Sequence, residues 1–190
     1  MKNECKTYPE IYSELLERMN DMEEYIDLYN DNGENLGIVI SREKEKEMLE
    51  GQHVLISAII VKNSENKVMM QLTSEAKGSV LALPSGHVLH NEDSKDAIVR
   101  EMFEEQGLVI DKEKVRLIEK RLGSKTSFYH IYYLEADYKK ENMVLQESEV
   151  ADVFWMTPEE IFEAYDEGKV RKTSMESVRN FLRSMADKNE

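Results

Sequence analysis

The sequence predicts an α+β domain in which helices cover both faces of a β-sheet. The first observation is a near-continuous apolar run, VLISAIIV at 54–61, which has the pattern of a buried strand. The second is a set of further strand-like segments, at 67–72, 115–122, 128–136 and 150–156. The third is helical periodicity in the segments between and after these strands.

The first fifty residues are predicted to form an extension made of a helix and a hairpin. Pro9–Met22 has apolar residues at helical spacing. Ile26–Ile40 has the turn residues Asn30–Gly33 between two apolar stretches, which is typical of a β-hairpin. A charged connector at 41–49, predicted to be helical, follows it. We therefore divide the chain into an extension, 1–50, and a main domain, 51–190.

Two further helices are predicted near the C-terminus. The first has Thr157 as N-cap, Pro158 in its first turn and Glu160 closing a capping box, and it ends at Gly168. The second, Ser174–Ala186, is amphipathic.

Composition limits the possible partners and compartment. The 190 residues include 39 acidic and 25 basic side chains, a net charge of −14, which argues against broad nucleic-acid binding. No apolar run approaches the ~20 residues that cross a bilayer, and the first residues lack the apolar stretch of a signal peptide. The single cysteine, Cys5, excludes an internal disulfide. We expect a cytoplasmic protein without nucleic-acid or membrane partners.

The segment 94–106 is predicted to be a helix with Ser94 as its N-cap and Gly107 as its left-handed end. At about 100° per residue, the apolar side chains share a face that must pack on the sheet. That apolar face comprises Ile98, Val99, Met102 and Phe103. The acidic side chains Glu101, Glu104 and Glu105 share another face.

This carboxylate face is unfavourable without a cation. Like charges three or four positions apart repel by about 0.2–0.5 kcal/mol per pair. Glu104 and Glu105 also lie in the last turn, where the helix dipole disfavours anions by about 0.3–1 kcal/mol each. Arg100 offsets part of this cost, and a divalent cation would offset more. Hard oxygen donors suit Mg²⁺ or Mn²⁺, whereas a solvated acidic face is the alternative interpretation.

The spacing of residues around this helix carries a family resemblance. From Gly86 the order is Gly, five residues, Glu, seven residues, Arg-Glu-Met, one residue, Glu-Glu, one residue, Gly-Leu. A chance match is expected on the order of 10⁻⁸ times per start site at average composition. The segment resembles the complete signature of the Nudix hydrolase family, and the flanking strands and helix extend the resemblance over roughly 54–168.

The resemblance implies an α/β/α sandwich around a mixed sheet. It also implies hydrolysis of a nucleoside diphosphate derivative by water with Mg²⁺ or Mn²⁺, and hence a small-molecule nucleotide as substrate. By the same resemblance, Glu101 and Glu105 are metal ligands, and Glu104 is a third ligand or contacts a coordinated water. The carbonyl oxygen of Gly86 completes the implied metal site.

The resemblance assigns orienting roles to Glu92 and Arg100, which with Glu101 and Glu104 form the predicted catalytic set. The family does not keep its general base at one position. A signature glutamate is one possibility, and Glu147 or Glu149, on a distal loop, are the others.

One feature departs from the family pattern. Family members commonly have Pro-Gly-Gly where this chain has Pro84-Ser85-Gly86, so we expect the loop to persist with a changed backbone preference at Ser85.

The role of four aromatic residues stays open. They share one predicted strand, and alternate members must face opposite sides of the sheet. One pair of them could stack on a base, and core packing is the alternative. These residues are Phe128, Tyr129, Tyr132 and Tyr133.

The N-terminal hairpin and the Ser41-Arg42-Glu43 that follows it are similar to the entry region of the Nudix branch related to isopentenyl-diphosphate isomerase. Those isomerases need a cysteine in the domain core, whereas Cys5 precedes the first predicted helix. Prenyl-diphosphate isomerase activity is therefore disfavoured. A non-catalytic nucleotide-sensing module is the second alternative to a hydrolase. The extension is also a candidate surface for a homodimer, because an amphipathic helix needs an apolar partner.

Overall fold

The structure is a computed structural model that describes residues 12, 23–124 and 126–187. The helix predicted over Pro9–Met22, apart from Tyr12, and Cys5 lie outside the described residues. The strands are β1 Tyr25–Tyr29, β2 Asn35–Ser41, β3 His53–Lys62, β4 Val68–Thr73, β5 Leu81–Ala82, β6 Ser85–His87, β7 Arg116–Ser124, β8 Ser127–Glu135 and β9 Val150–Met156. The α-helices are α1 Ser94–Gln106, α2 Pro158–Asp166 and α3 Lys172–Ala186. The connector forms a 3₁₀ helix at Arg42–Glu47.

The sheet is mixed, as the resemblance implied, and β3 lies at its centre. One edge of β3 pairs in parallel with β8 along its length. The other edge pairs antiparallel with β1, then β6, then β4. Because β6 pairs with the middle of β3, Gly86 lies opposite Ser57 near the centre of the sheet. β7 and β9 extend the sheet beside β8 and β4.

Alternate residues of the central strands build two cores, one on each face of the sheet. Ile59 and Val61 belong to the core that contains α1. Ala58 and Ile60 belong to the core that contains side chains of α2 and α3. This side-chain alternation is the period of two of a β-strand. The predicted α/β/α sandwich is confirmed.

The predicted caps and helix ends are confirmed in part: α2 ends at Asp166, two residues before Gly168, and α3 begins at Lys172, two residues before Ser174. Thr157 and Glu160 form the predicted capping box, and Gly107 ends α1 with φ of 67°. The prediction that Ser94 caps α1 was wrong by one residue. Asp93 is the N-cap, because its carboxylate accepts a hydrogen bond from the backbone of Lys95. Within the described part of the chain, no helix has the length and apolar character to cross a membrane.

The hairpin predicted at 26–40 is confirmed, and it adds to the same sheet as the main domain. β1 pairs with β2 and, through Leu28 and Tyr29, with the start of β3. In the turn, a side chain at Gly33 would lie 2.6 Å from the ring of Phe128, and its φ is 75°. Both space and backbone conformation therefore require glycine at the turn. The extension is thus continuous with the sheet that carries the site.

Candidate active site

A cleft of about 300 Å³ lies against the sheet and brings together residues distant in the sequence. Five predicted site residues line it, namely Gly86, Glu101, Glu104, Glu105 and Glu149. Arg100 and Glu92 are not among the lining residues and lie behind the carboxylates. Glu147 is exposed outside the cleft.

Arg100 ties the loop before α1 to the acidic face of the helix. Its Nε and Nη2 donate to the two carboxylate oxygens of Glu92, at 2.8 and 2.9 Å. Its Nη1 donates to Glu101 at 2.8 Å and to Glu104 at 2.9 Å, and Nη2 also reaches the carbonyl oxygen of His87. Burial alone would lower the pKa of Arg100, but the three carboxylates outweigh it and raise that pKa. Arg100 therefore stays charged and holds the carboxylates of Glu92, Glu101 and Glu104 in place.

Gly86 is required by space rather than by backbone conformation. A Cβ at this position would lie 1.9 Å from the carboxyl carbon of Glu101. Any other residue would displace Glu101, so the glycine lets this carboxylate approach β6. Ser85 lies in β6 opposite Ala58. It therefore has strand geometry, whereas the sequence led us to expect a loop at this position.

Glu105 is oriented by two buried amides. Gln71, on β4, donates from Nε2 to a carboxylate oxygen of Glu105 at 2.8 Å. Gln106 donates from Nε2 to the side-chain amide oxygen, Oε1, of Gln71 at 2.7 Å. Both glutamines are buried, with 3% and 0% of their surface exposed. Buried hydrogen bonds of this kind fix an acceptor's position, so the two glutamines hold the Glu105 carboxylate in place.

Burial makes ionisation of the Glu101, Glu104 and Glu105 carboxyl groups unfavourable. Burial is the largest influence on Glu101 and raises its pKa, Arg100 lowers it, and Glu104 raises it further. Burial also raises the pKa of Glu105 most strongly, followed by repulsion from Glu101. Burial raises the pKa of Glu104 as well. A bound cation reverses this balance, because it favours the charged form of every carboxylate near it.

The side chains of Glu101, Glu104 and Glu105 form what we call the carboxylate wall of the cleft. Their oxygen donors fit a hard divalent cation. Glu101, Glu104 and Glu105 each use one oxygen in the hydrogen bonds above, and the structure gives the other oxygen of each no hydrogen-bond partner among the described residues. Carboxylate and carbonyl oxygens are the ligands that Mg²⁺ and Mn²⁺ prefer. Within the described ranges, however, no three acidic, histidine or cysteine side chains converge into a formed metal cage.

Other cleft residues come from segments that the sequence pattern did not assign. Lys77 forms an ion pair with Glu149 at 3.1 Å. Glu45, from the 3₁₀ helix, lies 3.2 Å from the Nε2 of His87, and Arg42 lies nearby in an ion pair with Glu24. These extension residues line the cleft together with the signature residues. No motif spacing could identify them, since they meet the site only through the fold.

The other end of α1 carries a neutral network away from the cleft. The hydroxyl of Ser94 lies 2.7 Å from Nδ1 of His130 and 2.8 Å from the hydroxyl of Tyr132. Ser57 donates to the carbonyl oxygen of Ser94 at 2.7 Å. Burial lowers the pKa of His130 to about 4, so its ring stays neutral. These contacts anchor α1 to β3 and β8.

Comparison with known proteins finds a matching family model and similar folds. The family model of the NUDIX domain matches residues 51–178. No curated protein gives a significant match. Among solved structures, DR0079 from Deinococcus radiodurans superposes with a TM-score of 0.70 at 23% identity, over 83% of this chain and 98% of that one.

Two further structures share the fold. A NUDIX-family hydrolase from Clostridium perfringens gives a TM-score of 0.53 at 17% identity, covering 69% of this chain and 97% of its own. An Ap4A hydrolase from C. elegans, solved as a binary complex, gives 0.52 at 20% identity, covering 70% and 98%. At these identities the likeness concerns the fold.

Proposed function

Because the chain belongs to the Nudix family of hydrolases, we propose that it hydrolyses the diphosphate linkage of a nucleoside diphosphate derivative with Mg²⁺ or Mn²⁺. The family acts on small-molecule nucleotides and generally uses divalent cations. One observation carries the proposal for this chain: Glu101, Glu104 and Glu105 lie on one wall of a cleft beside Gly86.

In this proposal, Glu101 and Glu105 hold the cation, Glu104 adds a third carboxylate, and the carbonyl oxygen of Gly86 completes the set. When bound, a divalent cation neutralises phosphate charge and lowers the pKa of water. Arg100 keeps Glu101 and Glu104 in place through hydrogen bonds of 2.8 and 2.9 Å.

We assign the general base to Glu149, with Glu104 as the alternative. Glu149 lines the cleft, and its segment is tied to α1, because the backbone N–H of Gln146 donates to the carbonyl oxygen of Glu105 at 3.0 Å and that of Glu149 donates to the carbonyl oxygen of Gln146 at 2.8 Å. The ion pair with Lys77 fixes its position. A carboxylate placed beside the carboxylate wall can accept the proton of an attacking water.

A substrate panel tests the proposal. Nucleotide sugars, ADP-ribose, dinucleotide polyphosphates and nucleoside triphosphates are incubated with Mg²⁺ or Mn²⁺, and the products are identified by chromatography. At least one diphosphate bridge should be cleaved, and chelation should stop cleavage. Glu105→Gln should slow turnover about a thousandfold or more, since a cation supplies several kcal/mol of transition-state stabilisation. Cleavage of no substrate, or full turnover by this variant, would contradict the proposal.

Glu149→Gln and Glu147→Gln form a matched pair for the general base. Loss of a general base lowers the rate about 10²–10⁴-fold, so we expect that loss for Glu149→Gln alone. Glu147 is exposed outside the cleft and its variant should retain the wild-type rate. If Glu149→Gln is fully active and Glu104→Gln is not, the base is Glu104.

The predicted homodimer stays a prediction. The edge strand β2 exposes three apolar side chains, Leu36, Ile38 and Val39, at 40–42% of their surface. An exposed apolar edge strand is the kind of surface that pairs with another chain. Light scattering after gel filtration, on the wild type and on Ile38→Lys, measures whether this surface joins two copies.

A further inference from the structure

Strand β8 presents an aromatic ring and a hydroxyl group to the cleft. Ser127 and Tyr129 lie on the same face of this strand, two positions apart, and both line the cleft. Tyr129 is only partly buried, whereas Phe128, Tyr132 and Tyr133 are buried in the cores. Neither the Ser127 nor the Tyr129 hydroxyl has a hydrogen-bond partner in the described structure. The strand therefore leaves polar groups and an aromatic surface open to a ligand.

The ring of Tyr129 is held in place from behind. The guanidinium of Arg121 lies 5.1 Å from the ring centroid. Arg121 itself donates to the carbonyl oxygen of Thr173 and the hydroxyl of Ser177, each at 3.0 Å. A side chain at Gly123 would lie 2.2 Å from Cε2 of Tyr129, so the ring packs directly on the backbone there. Tyr129 is thus fixed in orientation before any ligand arrives.

The sheet register places this ring relative to the carboxylate wall. Tyr129 lies opposite Ile56 of β3, and Ile56 lies opposite His87 of β6. Two strand spacings of about 4.8 Å separate Tyr129 from His87, roughly 10 Å in total. Gly86, next to His87, contacts Glu101. A ligand whose phosphates meet the carboxylates has room for a sugar before it reaches the ring.

We infer that Tyr129 is the platform on which the nucleobase of the substrate stacks, with the Ser127 hydroxyl at the base edge and Arg121 as a positioning residue. This inference rests on the proposed function, because it takes the ligand to be a nucleotide. Aromatic side chains stack on any base, since every base has a π face. A hydroxyl both donates and accepts hydrogen bonds. The platform therefore admits several bases rather than selecting one.

Calorimetry with two non-hydrolysable probes tests the inference in the presence of Mn²⁺. α,β-Methylene-ADP carries a base, whereas methylenediphosphonate has only the bridge and its oxygens. Tyr129→Leu should weaken binding of the first probe about 5- to 100-fold, the range expected for loss of one base stack. It should leave the affinity for methylenediphosphonate unchanged. Tyr129→Phe keeps the aromatic face and should stay within about threefold of wild type.

Two further variants show whether the position of the ring matters. Gly123→Ala places a methyl group where the Tyr129 ring lies, so it should weaken α,β-methylene-ADP and not methylenediphosphonate. Tyr165→Leu is the matched control, because Arg179 lies 5.2 Å from that ring on α2, away from the cleft. It should change neither affinity. AMP and ribose 5-phosphate then separate the base from the sugar, and only AMP should respond to Tyr129→Leu.

Several results would overturn the inference. They are unchanged binding of α,β-methylene-ADP by Tyr129→Leu, an equal loss for both probes, or no binding of α,β-methylene-ADP by the wild type. Failure of the proposed function is distinguishable, because it is measured by hydrolysis in the substrate panel. If the wild type cleaves a nucleotide and Tyr129→Leu keeps its kcat/KM, the hydrolase stands and the platform does not.

Discussion

The two ends of helix α1 are built in opposite ways. At the N-terminal end, Ser94, His130 and Tyr132 are neutral and share hydrogen bonds of 2.7 and 2.8 Å. At the C-terminal end, Arg100 forms ion pairs with Glu101 and Glu104, and the buried carboxylate of Glu105 accepts a hydrogen bond from Gln71. A satisfied neutral network stabilises a fold without help. A concentration of buried negative charge costs stability unless a cation binds to it. The N-terminal end therefore anchors the helix, whereas the C-terminal end carries the groups proposed for the chemistry.

Of the substitutions that test this difference between the two ends of α1, removal of Arg100 should have the largest effect on stability. Arg100→Met leaves carboxylates buried without a partner, and loss of one member of a buried ion pair costs about 3–5 kcal/mol. The free energy of unfolding from urea denaturation of the metal-free protein should fall by that amount. Arg100→Lys keeps the charge but not the two-pronged contact with Glu92, so its loss should be smaller. An Arg100→Met protein as stable as wild type would contradict this account of the C-terminal end.

Removing the side-chain amide of Gln71 tests the carboxylate end of α1, where we propose the metal site. Loss of a group that orients a metal ligand lowers metal affinity about 10- to 100-fold, so Gln71→Leu should weaken Mn²⁺ binding by that factor in calorimetry. Gln106→Leu is the matched variant, one hydrogen bond further from Glu105, and its effect should be smaller. Equal Mn²⁺ affinity in Gln71→Leu and the wild type would show that Glu105 does not need this orientation.

The acidic face of α1 could be predicted from its helical spacing, and Gly86 from the family resemblance of the whole segment. Gln71 could not, because it reaches Glu105 through the packing of β4 on α1, and a neutral glutamine on a strand has no distinguishing pattern. Tyr129 lay among four aromatic residues whose alternation was clear. Alternation alone does not tell which face meets a cleft.

Two sequence predictions, the N-cap of α1 and the loop at Pro84-Ser85-Gly86, differ from the structure for local reasons. Ser94 and Asp93 are both good N-caps, and only the fold shows that the Ser94 hydroxyl is taken by His130 and Tyr132. We expected a loop at Pro84-Ser85-Gly86, whereas Ser85–His87 pairs with β3 as a strand. Such a short strand depends on its partner rather than on its own propensity.

Ser94→Ala should affect stability and leave the proposed metal site unchanged. The substitution leaves His130 and Tyr132 without their shared partner, which costs about 1–3 kcal/mol for buried polar groups. Urea denaturation should show this loss, and calorimetry should give wild-type Mn²⁺ affinity. Asp93→Ala is the control for a simple capping effect of about 1 kcal/mol at the same end. A large loss of Mn²⁺ affinity in Ser94→Ala would mean that the two ends of α1 are coupled.

The two ends should also respond to pH with opposite signs, a smaller effect seen in the metal-free protein. Burial raises the pKa values of Glu101 and Glu105, so the folded state retains protons there that the unfolded state releases. That end loses stability as the pH rises above about 4.5, the ordinary carboxyl value. His130 has its pKa lowered to about 4, so its end loses stability as the pH falls from about 6.5 towards 4.

Thermal melts of the metal-free protein between pH 4 and pH 9 separate the two contributions. Glu105→Gln removes one titrating carboxyl and should raise the melting temperature most at the alkaline end, with little change near pH 4. His130→Asn should reduce the loss on the acid side and leave the alkaline side unchanged. Saturating Mg²⁺ should also diminish the alkaline loss in the wild type, because a cation favours the ionised carboxylates. If Glu105→Gln instead raised stability most at pH 4, the folded protein would hold the pKa of Glu105 below its ordinary value, and burial would not dominate at the carboxylate end.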